Sequence, residues 1–166
     1  DGLERIFYTT VTAILTGIGF ALLLISGMIM REEKIDTKRG LLWGGGGFIA
    51  FVLAPSLGLP PELPGMVASD ILARQSWWIT TSIVSIVGLW LLVFSEKIHY
   101  KILAVIIALT PHLVGAPHPE VLSADGVPPE LAAQFVTVSI AVGGLFWALI
   151  GGFSGYFYER LERTNS

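Results

Sequence analysis

The sequence predicts an all-α, polytopic membrane bundle of about five helices in one transmembrane domain, residues 1–166. Composition is the first support. Hydrophobic residues make up 53% of the 166 and charged residues only 14%, where a soluble domain carries about 25% charged. Charge placement is the second. Charges gather at 31–39, 95–101, 120–130 and 158–163, and the stretches between are nearly free of them. Span length is the third: the apolar stretches are long enough to cross a bilayer or stop at proline-rich turns.

Taken in order, residues 6–30 supply about 25 positions, enough to span with some tilt. Residues 41–54 supply about 14, or roughly 21 Å of helix against a hydrocarbon core near 30 Å. Residues 77–94 give about 18, an adequate span. Residues 102–116 are again short, with Pro111 inside. That proline withdraws the hydrogen bond to the Ile107 carbonyl and crowds the turn before it, so a kink or break is expected. The last stretch, 131–157, ends in Phe153, Tyr156, Phe157 and Tyr158, an aromatic cluster suited to a membrane interface.

Lysine and arginine set the orientation. With five spans, 31–39, 95–101 and the C-terminal tail fall on one side and hold eight basic residues. The other side holds two, Arg5 and Arg74. The basic side is assigned to the cytoplasm, which places the C-terminus inside, in what is read as a prokaryotic inner membrane. An N-terminus outside that opens on Asp1 implies a removed signal peptide or a missing first helix. The missing helix is favoured and would bring the full protein to six spans.

Small residues recur every fourth position at Ala13, Gly17 and Ala21, and at Gly144, Ala148 and Gly152, with Gly151 and Gly155 as a further pair. Such spacing lets helix backbones approach closely in lipid. The run Gly44–Gly47 is read either as a packing face or as a groove for something to pass. It is no phosphate loop, because no Gly-Lys-Ser/Thr follows. The lack of cysteine excludes disulfides and thiolate metal sites, and a net charge of −3 gives no hint of a nucleic-acid partner.

Two outer segments carry the chemistry. Residues 53–65 hold Pro55, Pro60, Pro61 and Pro64 with Gly58 and Gly65, then reach Asp70, Arg74, Trp77 and Trp78. So apolar a proline-rich stretch beside a short span reads as a re-entrant or interfacial turn. Residues 110–120 place His112, His118 and Glu120 at the mouth of the other short span. Pro60-Pro61-Glu62-Leu63 is echoed by Pro128-Pro129-Glu130-Leu131, each between a short span and a full one. Paired broken segments can mark a transport site, although Pro-Pro-Glu also simply starts a helix. The helix-start reading suits Glu130 better than Glu62, which Pro64 and Gly65 follow.

His99, beside Lys97 and Lys101, reads as a headgroup residue. His112 and His118 are functional candidates or packing residues; six apart and between prolines, they do not share a helical face as an i, i+4 pair would, and could converge only through a turn. With Glu62 and Asp70 they make the candidate metal set: nitrogen and oxygen donors without sulfur, suited to cobalt, nickel, zinc or iron. No resident cofactor is called for.

The run Ala54-Pro55-Ser56-Leu57-Gly58-Leu59-Pro60-Pro61-Glu62-Leu63-Pro64-Gly65-Met66, with Arg74-Gln75-Ser76-Trp77-Trp78, resembles the CbtA-type predicted cobalt transporter subunits. So do Pro111-His112-Leu113-Val114-Gly115-Ala116-Pro117-His118-Pro119 and the opening Asp1-Gly2-Leu3-Glu4-Arg5, so that nearly the whole chain is covered. The resemblance implies a cobalt permease linked to cobalamin biosynthesis, often accompanied by a small histidine-bearing CbtB subunit. It implies no ligand set. Members begin with a hydrophobic segment not found here.

The expected function is therefore entry of a divalent transition metal, Co²⁺ by the resemblance, as transported ion. Two alternatives stand beside it: an accessory subunit packed in a larger membrane complex, and a redox protein with His112 or His118 on haem. No Gly-x-Ser-x-Gly or His-Glu-x-x-His arrangement supports an enzyme.

Overall fold

Apolar stretches broken by glycine and proline fold into helices throughout the described residues, 2–31, 34–119 and 127–165 of the computed structural model. They form α1 (Gly2–Met30), α2 (Thr37–Phe48), a π-helical turn (Ile49–Leu53), α3 (Ala54–Ser56), α4 (Ile71–Phe94), α5 (Ile98–Val114) and α6 (Pro129–Asn165). Among the described residues, α1, α4 and α6 are long and apolar enough to cross a membrane, and α5 is a shorter apolar helix. Leu3, Leu22, Leu72, Ile83, Val93 and Leu145 are exposed along them. Lipid, not a protein core, is the solvent that suits such surfaces.

The chain divides into two compact units, residues 1–45 with 145–166, and residues 46–144. In the first, α2 and α6 meet backbone to backbone. A Cβ on Gly40 would overlap the Gly151 carbonyl oxygen, one on Gly44 the Trp147 carbonyl, and one on Gly155 the Asp36 carbonyl. Residue number rises along α2 as it falls along α6, so the crossing is antiparallel. Dispersion and close dipole contact hold such a crossing where lipid removes the hydrophobic drive. Within the glycine run, Gly44 lies in this contact, whereas Gly45 and Gly46 face open space. The contact face is set by the spacing of Gly40 and Gly44, not by the run as a block. Trp147 is buried with its ring 4.7 Å from that of Phe20, which ties α1 to α6.

Asp36 starts α2. Its Oδ1 accepts the Arg39 backbone N–H at 2.9 Å, satisfying one of the orphan donors of a helix N-terminus. That bond, more than the nearby Arg39 and Lys34 charges, holds the carboxyl below the ordinary carboxylate value.

The second unit holds the helices that carry Pro55 and Pro111. The segment expected over 41–54 is helical without interruption from 37 to 56. Pro55 is accommodated by a widened turn before it, in which the Ala54 N–H reaches back to the Ile49 carbonyl. The break expected at Pro111 does not occur there: α5 runs through it and ends at Val114. Pro111 sits in the last turn, where little helix remains to be disrupted, and the left-handed Gly115 (φ 92°) closes the end with its N–H on the Pro111 carbonyl at 3.0 Å. Antiparallel to α5, α4 packs closely where Gly88 faces Ala104 and Ala108.

Candidate functional site

Prolines at 60, 61 and 64 and a left-handed Gly65 (φ 95°) keep residues 57–70 out of regular helix. This stretch is nonetheless pinned. Gly58 lies so close under the Trp77 ring and the Ala116 methyl that any side chain would collide with both. The Ser69 hydroxyl donates to the Pro117 carbonyl at 3.1 Å. The two proline-rich segments, far apart in sequence, therefore meet at one end of the α4–α5 pair. The Leu63 N–H points at the Met66 sulfur at 3.3 Å and the Met66 N–H at the Leu63 carbonyl at 3.2 Å, closing the turn between.

The four candidate ligands occupy different places around this end. His112 stands in the last turn of α5, half-buried, with its ring edge-on to Trp77 at 5.8 Å. His118 is exposed in the segment after α5. Glu62 Oε2 is paired with Arg74 Nη2 at 2.8 Å, the two side chains 24% and 30% exposed. Asp70 caps α4, accepting the Ala73 N–H at 2.9 Å on one carboxylate oxygen and leaving the other free of that bond. Among the described residues, no three of His, Asp and Glu converge as a group that could hold a metal ion. Glu120 lies outside the described residues. His99 is in the first turn of α5, at the opposite end from His112, with its ring 4.3 Å from Tyr100. Glu130 occupies the first turn of α6 just after Pro129, where an acid complements the helix dipole.

Two features escaped the sequence reading. The Glu62–Arg74 pair joins residues named separately, and opposite charges flanking a proline turn are weak evidence of pairing. The other is a buried hydroxyl face on α4. Thr81 is 0% exposed, Ser82 2% and Ser85 5%. The cluster Thr80-Thr81-Ser82 in an otherwise apolar span was a readable signal.

Among curated proteins and among solved structures, nothing matches the chain. A family model does, that of the probable cobalt transporter subunit, CbtA, over residues 1–159. With three helices among the described residues long and apolar enough to cross a bilayer, a transporter subunit is an integral membrane protein, and a subunit has a partner. The chain belongs to the CbtA family of probable cobalt transporter subunits.

Proposed function

We propose that this protein is the permease subunit through which a divalent transition metal, cobalt by family, enters from outside, in the service of cobalamin biosynthesis. The observation that carries this reading is the joining of the two proline-rich segments by Gly58, Trp77, Ser69 and Pro117. It supports a built mouth at one end of two helices, in place of two unrelated loops. Irregular backbone at membrane depth is tolerated where it lines a cavity or is buried in protein.

Around that mouth His112, His118, Glu62 and Asp70 attract and strip the ion in succession. A loose arrangement suits a transported cargo, which must leave as readily as it binds. Glu62 takes part by exchanging Arg74 for the metal. Five spans, with 41–54 and 102–116 as the short ones, put the mouth outside and the C-terminus in the cytoplasm of a prokaryotic cell. A small histidine-bearing CbtB-type subunit is the proposed partner. No nucleotide-binding motif is present in the sequence, so a gradient, the membrane potential or a partner drives transport.

The test is cobalt accumulation by cells expressing His112→Ala, Glu62→Gln or His99→Ala at matched membrane abundance. The first two should fall about tenfold or more and the third should not. Equal accumulation in all three would make these residues structural.

One observation favours a second reading, an accessory subunit within a larger complex. Gly45 and Gly46 leave a bare backbone face on α2 that another helix could close against. The mass of the detergent-extracted particle separates the two, because a lone chain disfavours the accessory role.

A further inference from the structure

Hydroxyls in membrane helices ordinarily satisfy themselves on the carbonyl one turn back. Ser56 does so to Val52 at 2.6 Å, Thr110 to Ile106 at 2.9 Å and Thr137 to Ala133 at 2.9 Å. Thr81 and Ser82 depart from this habit. Both are buried within the second unit, 0% and 2% exposed, and neither hydroxyl oxygen has a hydrogen-bond partner. The Trp77 indole N–H, one turn towards the mouth, is buried and unpartnered as well. Leaving such groups unpaired costs free energy comparable to a lost hydrogen bond, so their retention calls for an occupant.

Among the elements packed on α4 are those around the buried prolines. The π-helical turn and α3 bring Pro55, and α5 brings Pro111. Each proline lacks the N–H that a carbonyl one turn back would take in an unbroken helix. The packing thus buries two hydroxyl oxygens of α4 without a donor or acceptor partner, and oxygen is the ligand type that replaces water around a cation inside a membrane.

We propose that Thr81 and Ser82 form an inner station for a divalent cation still carrying part of its water shell. It lies on the same route as the outer mouth and rests on the transport reading above. Hydroxyl lone pairs face the ion or its waters, and the Trp77 N–H donates to a water oxygen, not to the metal. Oxygen donors of this kind select by charge and coordination number, whereas the histidines of the mouth select by nitrogen affinity.

The test is radiolabelled cobalt in whole cells at matched membrane abundance. Initial uptake and the cobalt released from the cell surface by EDTA are read separately. Thr81→Val keeps the shape and removes the hydroxyl, Ser82→Ala removes the other, and Thr81→Ser keeps the hydroxyl. Uptake should fall about tenfold in Thr81→Val and Ser82→Ala, and stay near the parent in Thr81→Ser. EDTA-releasable cobalt should be unchanged in all three. Thermal midpoints of the valine and alanine variants should equal or exceed the parent's, since an unpartnered polar group has been replaced by an apolar one. Parental uptake in Thr81→Val and Ser82→Ala would overturn the station. So would a loss in Thr81→Ser equal to that in Thr81→Val, or a lowered midpoint in Thr81→Val, either of which makes the residue a packing or structural element. If uptake falls in Thr81→Val while His112→Ala leaves EDTA-releasable cobalt unchanged, the inner station stands and the outer site fails.

Discussion

Glu62 Oε2 lies 2.8 Å from Arg74 Nη2, so the one acid in the first proline-rich segment is held by the first turn of α4. This pairing sets a competition. A carboxylate that serves a metal must give up its guanidinium, and removing Arg74 should raise cobalt affinity at the mouth while Glu62→Gln lowers it. Because the pair is partly solvated, either change should cost at most about 1 kcal/mol of stability. Cobalt titration of purified Arg74→Gln and Glu62→Gln checks this. Weaker binding in Arg74→Gln would show that the pair, not the free carboxylate, shapes the mouth.

The α2–α6 crossing predicts a sharp contrast between neighbouring glycines. Gly44→Ala or Gly151→Ala drives a methyl into facing backbone and should destabilise by about 1–3 kcal/mol, the usual cost of overpacking. Gly45→Leu and Gly46→Leu meet open space and should leave the folded subunit intact in detergent. Thermal melts of the four variants decide. Equal damage from Gly45→Leu would mean that its face is covered in the isolated subunit.

Asp36 gives a pH dependence. Its carboxyl is held low chiefly by the Arg39 N–H, so the stability it adds is present above the unfolded-state value near 3.8. That contribution is lost as pH falls through the lower folded value. Asp36→Asn keeps the capping oxygen and should flatten this acid limb, whereas Asp36→Ala should also destabilise at neutral pH. Unfolding midpoints between neutral and acid pH check both.

Topology is testable because the chain has no cysteine. Cysteines at Ala68 and Thr37, both exposed, should label from opposite faces of sealed membranes. An impermeant reagent outside should reach Ala68→Cys and miss Thr37→Cys. Labelling of both from outside would sink the orientation argued from lysine and arginine.

Helical class, membrane residence and family were legible in the chain itself. Low charge, span-length apolar runs and the motif around Pro60–Gly65 are local properties that survive without knowledge of contacts. Proline also signalled its positions correctly, but not its consequences. Pro55 and Pro111 were expected to shorten or break helices, yet a π-helical turn absorbs one and the end of α5 absorbs the other. What only the tertiary structure decided is partnership. Which glycines touch depends on where α6 crosses α2, and Gly44 differs from Gly45 solely by the face it presents. Whether a hydroxyl is satisfied depends on its rotamer and on the neighbours that bury it, which separates Thr81 from Thr110. The meeting of Ser69 with Pro117 needs α4 and α5 to pack antiparallel first. A sequence specifies periodicity and backbone permission residue by residue. Contacts between distant residues exist only once helices have chosen their faces, because each such contact is a property of two elements and of neither alone.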